Sequence, residues 1–242
     1  MLLDFFAQSK PILAMLHLSG DTRDNKLTRA LREADIYAES GVDAVIVEDY
    51  FGDVIDVESV LALLRRERPQ YVVGVNVLDD FARSYELAAQ YGAQFMQVDS
   101  ICGHLTPADE QDYFAMVDRY RADRRVAVIG GVRFKYQEYL SGRSLAEDLA
   151  IGIRHCDAIA VTGSGTGVDT DSDKIREFRQ HLGTFPLVVG AGMTVATIKE
   201  KLTLADAAIV GSTFKDTRKD SGDVSRTHVM EFMDTVRREF RA

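Results

Sequence analysis

Short apolar runs recur along the chain at intervals of roughly 20 to 30 residues, and the segments between them carry apolar residues three and four apart. The runs are "PILAMLHL" from residue 11, "DAVIVEDY" from 43, "YVVGVNVL" from 71 and "QFMQVDS" from 94; then "RVAVIGGVRF" from 125, "DAIAVTGS" from 157, "PLVVGAG" from 186 and "AAIVGSTF" from 207. Each is rich in Val, Ile and Ala and reads as a strand buried on both faces. Segments such as "DDFARSYELAAQYG" and "ADEQDYFAMVDRYRADRR" have a helical period, with charges on the opposite face. Helix ends are marked by Gly41 and Gly92 as C-terminal stops, and by Asp79 or Asp80, Thr106 before Pro107, and Asp171 or Ser172 as N-caps.

Strand and helix alternate from start to finish, which requires parallel strands joined by helical crossovers. Eight repeats without a composition break predict an α/β fold, one closed (β/α)8 TIM barrel over residues 1–242, with the first eight or so residues forming a short helix that plugs its N-terminal end. An open doubly wound sheet is the structural alternative. It needs a glycine-rich turn after the first strand, where "HLSGDTRDN" makes no dinucleotide fingerprint.

In a barrel the outward strand positions meet helices and must be apolar, so polar strand residues point inward or lie at the mouth. Met96 and Val98 then face the helices while Gln97 and Asp99 face the interior; Val73, Val75 and Val77 face outward, leaving Gly74 and Asn76 inside. The same count turns His17, Glu48, Arg133, Lys135 and Thr162 inward, each at the C-terminal end of its strand, where barrel active sites are built. Glu48 and Asp99 are the candidate acid and base groups, with the plainer alternative that they only orient Lys135 or Arg133. Arg133 and Lys135 would steady an oxyanion, and Asn76, Gln97, Thr162 and Gly163 would hold substrate. Lys135 is also a candidate imine-forming lysine, as in an aldolase or lyase. His17 is a candidate acid; with Glu48 and Asp99 it would offer three ligands to a divalent metal, but that trio lacks a second histidine, and no cofactor is otherwise implied.

The seventh and eighth apolar runs end in glycine with a hydroxyl residue. Backbone amides of Gly190, Gly192, Met193, Thr194, Gly211 and Ser212 would cradle a phosphate at the position where this fold most often holds one, with Lys215 adding positive charge. The alternative is that these glycines only shape tight turns. "TGSGTGVDTDSDK" reads as substrate-contacting backbone or a flexible crossover, and "KDTRKDSGDVSR", residues 215 to 226, as a mobile lid or the solvated approach to the last helix.

Composition narrows the partners. A formal charge of −9 and a pI near 5.1, with no basic stripe, argue against nucleic acid or an anionic membrane surface and leave a small phosphorylated molecule. Cys102 and Cys156 have neither the number nor the spacing of a disulfide framework or zinc cluster and read as free thiols. Without a leader pattern or membrane-spanning window, the expectation is a soluble cytoplasmic protein, and since barrels often pair, a homo-oligomer.

"GVDAVIVEDYFGDV", "GVNVLDDFARSYELAAQYGAQFMQVD", "DAIAVTGSGTGVDTD", "VGAGMTVATIKEKLTLADAAIVGSTFKD" and "DVSRTHVMEFM" together resemble the BtpA/SgcQ family in order through nearly the whole chain. The resemblance implies a (β/α)8 scaffold similar to phosphate-binding barrel enzymes; one branch of the family is linked to photosystem I biogenesis and another sits among sugar-uptake genes. Two departures stand out. The family follows its first-strand "HL" with "PLPG", whereas His17 and Leu18 lead here into "SGDTRDN"; and it places His after the fifth-strand Lys, where this chain has Tyr136. The functional expectation is a phosphosugar isomerase or epimerase working by proton transfer, against an aldolase or lyase using Lys135, or a noncatalytic assembly factor.

Overall fold

The computed structural model describes residues 2–241. Eight parallel strands close into a barrel in sequence order: β1 Ile12–Leu16, β2 Ala44–Glu48, β3 Val73–Asn76, β4 Phe95–Cys102, β5 Ala127–Val132, β6 Ala158–Val161, β7 Leu187–Val189 and β8 Ala207–Val210. β8 pairs back onto β1, which excludes the open doubly wound sheet. The crossovers are α1 Arg23–Glu39, α2 Val54–Glu67, α3 Phe81–Tyr91, α4 Pro107–Arg121, α5 Leu145–His155, α6 Ser172–Leu182, α7 Ile198–Leu204 and α8 Arg226–Phe240. Asp80 caps α3 by accepting from the Arg83 amide, and Gly92 ends that helix in the left-handed region at φ 70°, a conformation open to glycine because it has no Cβ.

Two apolar layers follow from the period-two alternation of the strands. The outer layer joins strands to helices. The inner one fills the barrel with Leu13, Met15, Ala44, Ile46, Phe95, Ile129 and their neighbours. Leu2, fully buried, completes that inner cluster from below. It sits on a 3-10 helix, Leu2–Phe5, so the predicted plug is present as a single tight turn. Gly74 faces inward as its parity requires, because a Cβ there would lie 2.3 Å from the Phe95 ring.

Alternation breaks at two places, and both shape the site. Between the pairs Val98–Gly130 and Cys102–Val132, β4 carries three residues against one on β5, a bulge that bends the strand. The extra backbone is accommodated by Gly131, where a Cβ would fall 2.0 Å from the Asp99 carbonyl oxygen. Just beyond β5, Arg133 adopts φ 50°. That left-handed residue reverses the face count, so that Phe134 joins the inner cluster.

Candidate functional site

Above the inner apolar layer, the C-terminal ends of the strands surround a cavity of about 530 Å³, its solvent-open mouth included. Of the residues proposed from sequence, His17, Glu48, Gln97, Lys135, Gly190, Gly192, Met193, Gly211 and Ser212 line it. β1, β2, β4 and β8 thus converge with the turns after β5, β7 and β8.

Glu48 is 6 % exposed. Its Oε1 accepts from Asn76 Nδ2 at 2.8 Å, and the same amide nitrogen reaches Asp99 Oδ1 at 3.3 Å. One amide therefore bridges two carboxyl groups. Burial, reinforced by the neighbouring Asp99 charge, pushes the Glu48 carboxyl up to about 8. Asp99 is raised too, chiefly by burial, while Lys135, Asn76 and Gln97 act against the shift. Asp99 stands outside the cavity lining, so it acts on Glu48 from behind. His17 Nε2 lies 3.5 Å from Glu48 Oε2. Burial, followed by the Lys215 charge, lowers His17 to about 4. At neutral pH this contact joins a protonated acid and a neutral imidazole, and is not an ion pair.

Lys135 Nζ donates to Thr166 Oγ1 at 3.0 Å and has no carboxylate partner within 4.0 Å among the described residues. Thr162 is buried and faces inward, but its Oγ1 accepts from the Lys135 amide at 3.0 Å. Its role is to hold the lysine's backbone. Gly163 lies in a neighbouring open groove, packed against the returning Asp169 carbonyl.

Arg133 is not part of the ring. The left-handed turn at this residue sends its guanidinium away from the cavity, where it donates to Asp148 Oδ2 of α5 at 3.2 Å and to the Arg143 carbonyl at 2.7 Å. Fully buried Asp148 also accepts from Arg143 and Ser141. Cys102 borders this network, its Sγ 3.8 Å from Glu110, and burial pushes its thiol up to about 12. Lys215 is likewise directed elsewhere: it is buried against Glu33 of α1, with Nζ 3.2 Å from the carboxylate. The trio His17, Glu48 and Asp99 makes no metal-ligand group, and no set of three or more His, Cys, Asp or Glu side chains suited to a metal ion occurs among the described residues.

The glycine turns after β7 and β8 divide into used and unused donors. The Gly190 amide continues the ladder to Val161, and the Thr194 amide is taken by Thr197 Oγ1. By contrast, the amides of Gly192, Met193, Gly211 and Ser212 donate to no acceptor among the described residues. Gly192 also has to be glycine on packing grounds, since a Cβ would lie 2.1 Å from the Val168 carbonyl. The loop after β6 therefore presses onto the β7 turn, and its Thr166 and Gly167 join the lining.

Sequence reasoning missed Tyr50, Thr166 and Asp220 as individual residues. The Tyr50 ring lies tilted against that of His17, with centroids 5.0 Å apart, and its hydroxyl donates to Asp220 Oδ2 at 2.9 Å. Because β1 lies between β8 and β2, this bond passes over the end of β1 and the loop after β8 is drawn across His17. The segment over residues 215–226 is thus a strap closed on itself by the Lys215–Val224 bridge. Tyr50 follows Glu48 by two residues on the same face, the one signal available in sequence.

A closed (β/α)8 barrel with buried carboxyl groups and free glycine-turn amides around one cavity defines the class. The BtpA family profile matches residues 8–238, and the chain belongs to that family. An uncharacterized protein of Pyrococcus abyssi is 27 % identical, with 90 % of this chain and 92 % of the relative covered. The photosystem I biogenesis protein BtpA of Synechocystis is 25 % identical, covering 87 % and 82 %. Among solved structures, phosphoribosyl anthranilate isomerase from Thermus thermophilus superimposes with a TM-score of 0.61 at 13 % identity, covering 93 % of this chain and 98 % of that one. That likeness speaks for the fold alone. Among the described residues no helix is long and apolar enough to cross a membrane.

Proposed function

We propose that this barrel binds a small phosphorylated carbonyl compound, a phosphosugar or close relative, and moves a proton on the carbon next to its carbonyl. The observation that carries this reading is that Gly192, Met193, Gly211 and Ser212, whose amides are unused among the described residues, line the same cavity as Glu48 and Lys135. Unused N–H groups in glycine turns suit a phosphate. A carboxyl raised to about 8 sits close enough to neutrality both to take a proton and to return it. Ionised Glu48 removes the proton, the Lys135 ammonium steadies the enolate oxygen, and Glu48 returns the proton to the former carbonyl carbon as the neighbouring hydroxyl's proton passes to the former carbonyl oxygen, which leaves the carbonyl on the carbon first deprotonated. Asn76 and Asp99 set the position and basicity of Glu48.

The test is solvent exchange: in D2O, a panel of sugar phosphates is followed by NMR for deuterium uptake beside the carbonyl. Uptake should occur with a phosphorylated member and not with its parent sugar, and Glu48→Gln should slow it by about 10²-fold or more. Equal exchange by parent sugar and phosphate, or by the variant, would overturn the assignment.

Lys135, which lines the cavity and has no carboxylate partner among the described residues, favours a second reading, carbon–carbon cleavage through an imine. Borohydride trapping separates the two, because only that route leaves a reduced adduct on Lys135. The name of the Synechocystis relative suggests a third, a noncatalytic assembly role; it predicts full biological activity in Glu48→Gln.

A further inference from the structure

Gln97 is 5 % exposed and lines the cavity. Its amide nitrogen is committed: Nε2 donates to Asp99 Oδ1 at 3.1 Å. Asp99 Oδ1 accepts from this nitrogen and from Asn76 Nδ2, the orientation that an ionised carboxyl requires of both amides. The other end, Oε1, is buried and accepts no hydrogen bond among the described residues. Asn76 repeats the pattern, with its nitrogen spent on Glu48 and Asp99 and its Oδ1 buried and unpartnered. A buried amide oxygen without a donor is unfavourable, and a ligand donor that reaches it relieves that cost.

The barrel's topology gives this acceptor a direction. With the strands ordered one to eight around the ring, β4 stands diametrically opposite β8. Gln97 on β4 therefore faces, across the cavity, the Gly211 and Ser212 amides at the end of β8. One wall offers donors and the other an acceptor.

We infer that Gln97 Oε1 reads a hydroxyl on the ligand at the end remote from its phosphate, so that the substrate class is a phosphate ester bearing a free hydroxyl across the width of the barrel mouth. This rests on the phosphate reading above. Discrimination follows from the burial: Oε1 is already desolvated and unpaired in the free chain, so a hydroxyl that reaches it gains a hydrogen bond at no further desolvation cost to the protein, and the deoxy compound forgoes that gain.

The experiment is calorimetric titration of the full chain with inorganic phosphate, ribose 5-phosphate and glucose 6-phosphate, and with the singly deoxygenated forms of each sugar phosphate. In the wild type, removing one particular hydroxyl should weaken binding at least about tenfold, and removing the others far less. In Gln97→Met, of similar shape but without the acceptor, that penalty should shrink to threefold or less while inorganic phosphate binds as before. Three results overturn the inference alone: phosphate binds but the sugar phosphates bind no more tightly; no single deoxygenation stands out in the wild type; or Gln97→Met keeps the full penalty. The second needs no variant, so the test survives a Gln97→Met chain that fails to fold. If neither inorganic phosphate nor any sugar phosphate binds the wild type, the phosphate reading falls and this inference with it.

Discussion

Glu48 is where burial acts hardest on the chemistry. Its carboxyl ionises ordinarily at 4.5 and in the folded chain at about 8. Between these values the folded state holds a proton that the unfolded chain has released, so its contribution to stability is complete below 4.5 and is lost as pH rises through 8. His17, lowered from 6.5 to about 4, works in the opposite sense: folding gains as pH rises from 4 to 6.5. Above pH 6.5 the Glu48 effect is therefore separated from that of His17. There, Glu48→Gln, neutral at every pH, should melt progressively higher than the wild type, the gap reaching a few degrees and levelling off above pH 9. Melting curves at pH 6.5, 7.5, 8.5 and 9.5 measure it; a gap independent of pH would mean that Glu48 is ionised throughout.

At the scale of the element, β4 and β5 form one device. The bulge of β4 sets Asp99 above Gln97 on the same side of the strand, and Gly131 supplies the space beneath it. Gly131→Ala would force a Cβ into the Asp99 carbonyl and the Phe134 ring, at 2.0 and 2.5 Å. Overpacking of this kind costs about 3 kcal/mol or more, a fall of roughly 10 °C in melting temperature for a chain of this size. A thermal scan showing no change would mean that the bulge has slack.

These two strands also mark how far the sequence could be read. Alternation carried β1, β2, β3, β4 and β6 to the right faces and brought His17, Glu48 and Gln97 to one cavity, because burial on both sides of a parallel strand leaves polar residues few places to point. It failed at Arg133, whose left-handed backbone reverses the count; Asp148, the partner that holds it, lies on a helix and carries no strand periodicity. Lys215 was misplaced for a similar reason, since nothing near it in the chain announces Glu33. The order of the glycine turns was plain, but which amides remain free depends on packing between loops distant in sequence, such as Val168 over Gly192.

For the whole molecule, stability depends on closing both ends of a hollow cylinder. The upper end is filled by the polar site and the lower end by Leu2, fully buried in the inner cluster with Leu3 and Phe6 packed against it. Leu2→Ala should cost about 2–5 kcal/mol, lowering the melting temperature by roughly 5–15 °C, with sugar-phosphate affinity unchanged because the plug and the site occupy opposite ends. Titration alongside a melting curve checks both halves. At the other end, the hydrogen bond from Tyr50 to Asp220 joins loops on either side of the first strand, above the imidazole. A compound entering beside the imidazole would have to part that pair, so its admission and release there would follow a loop's swing.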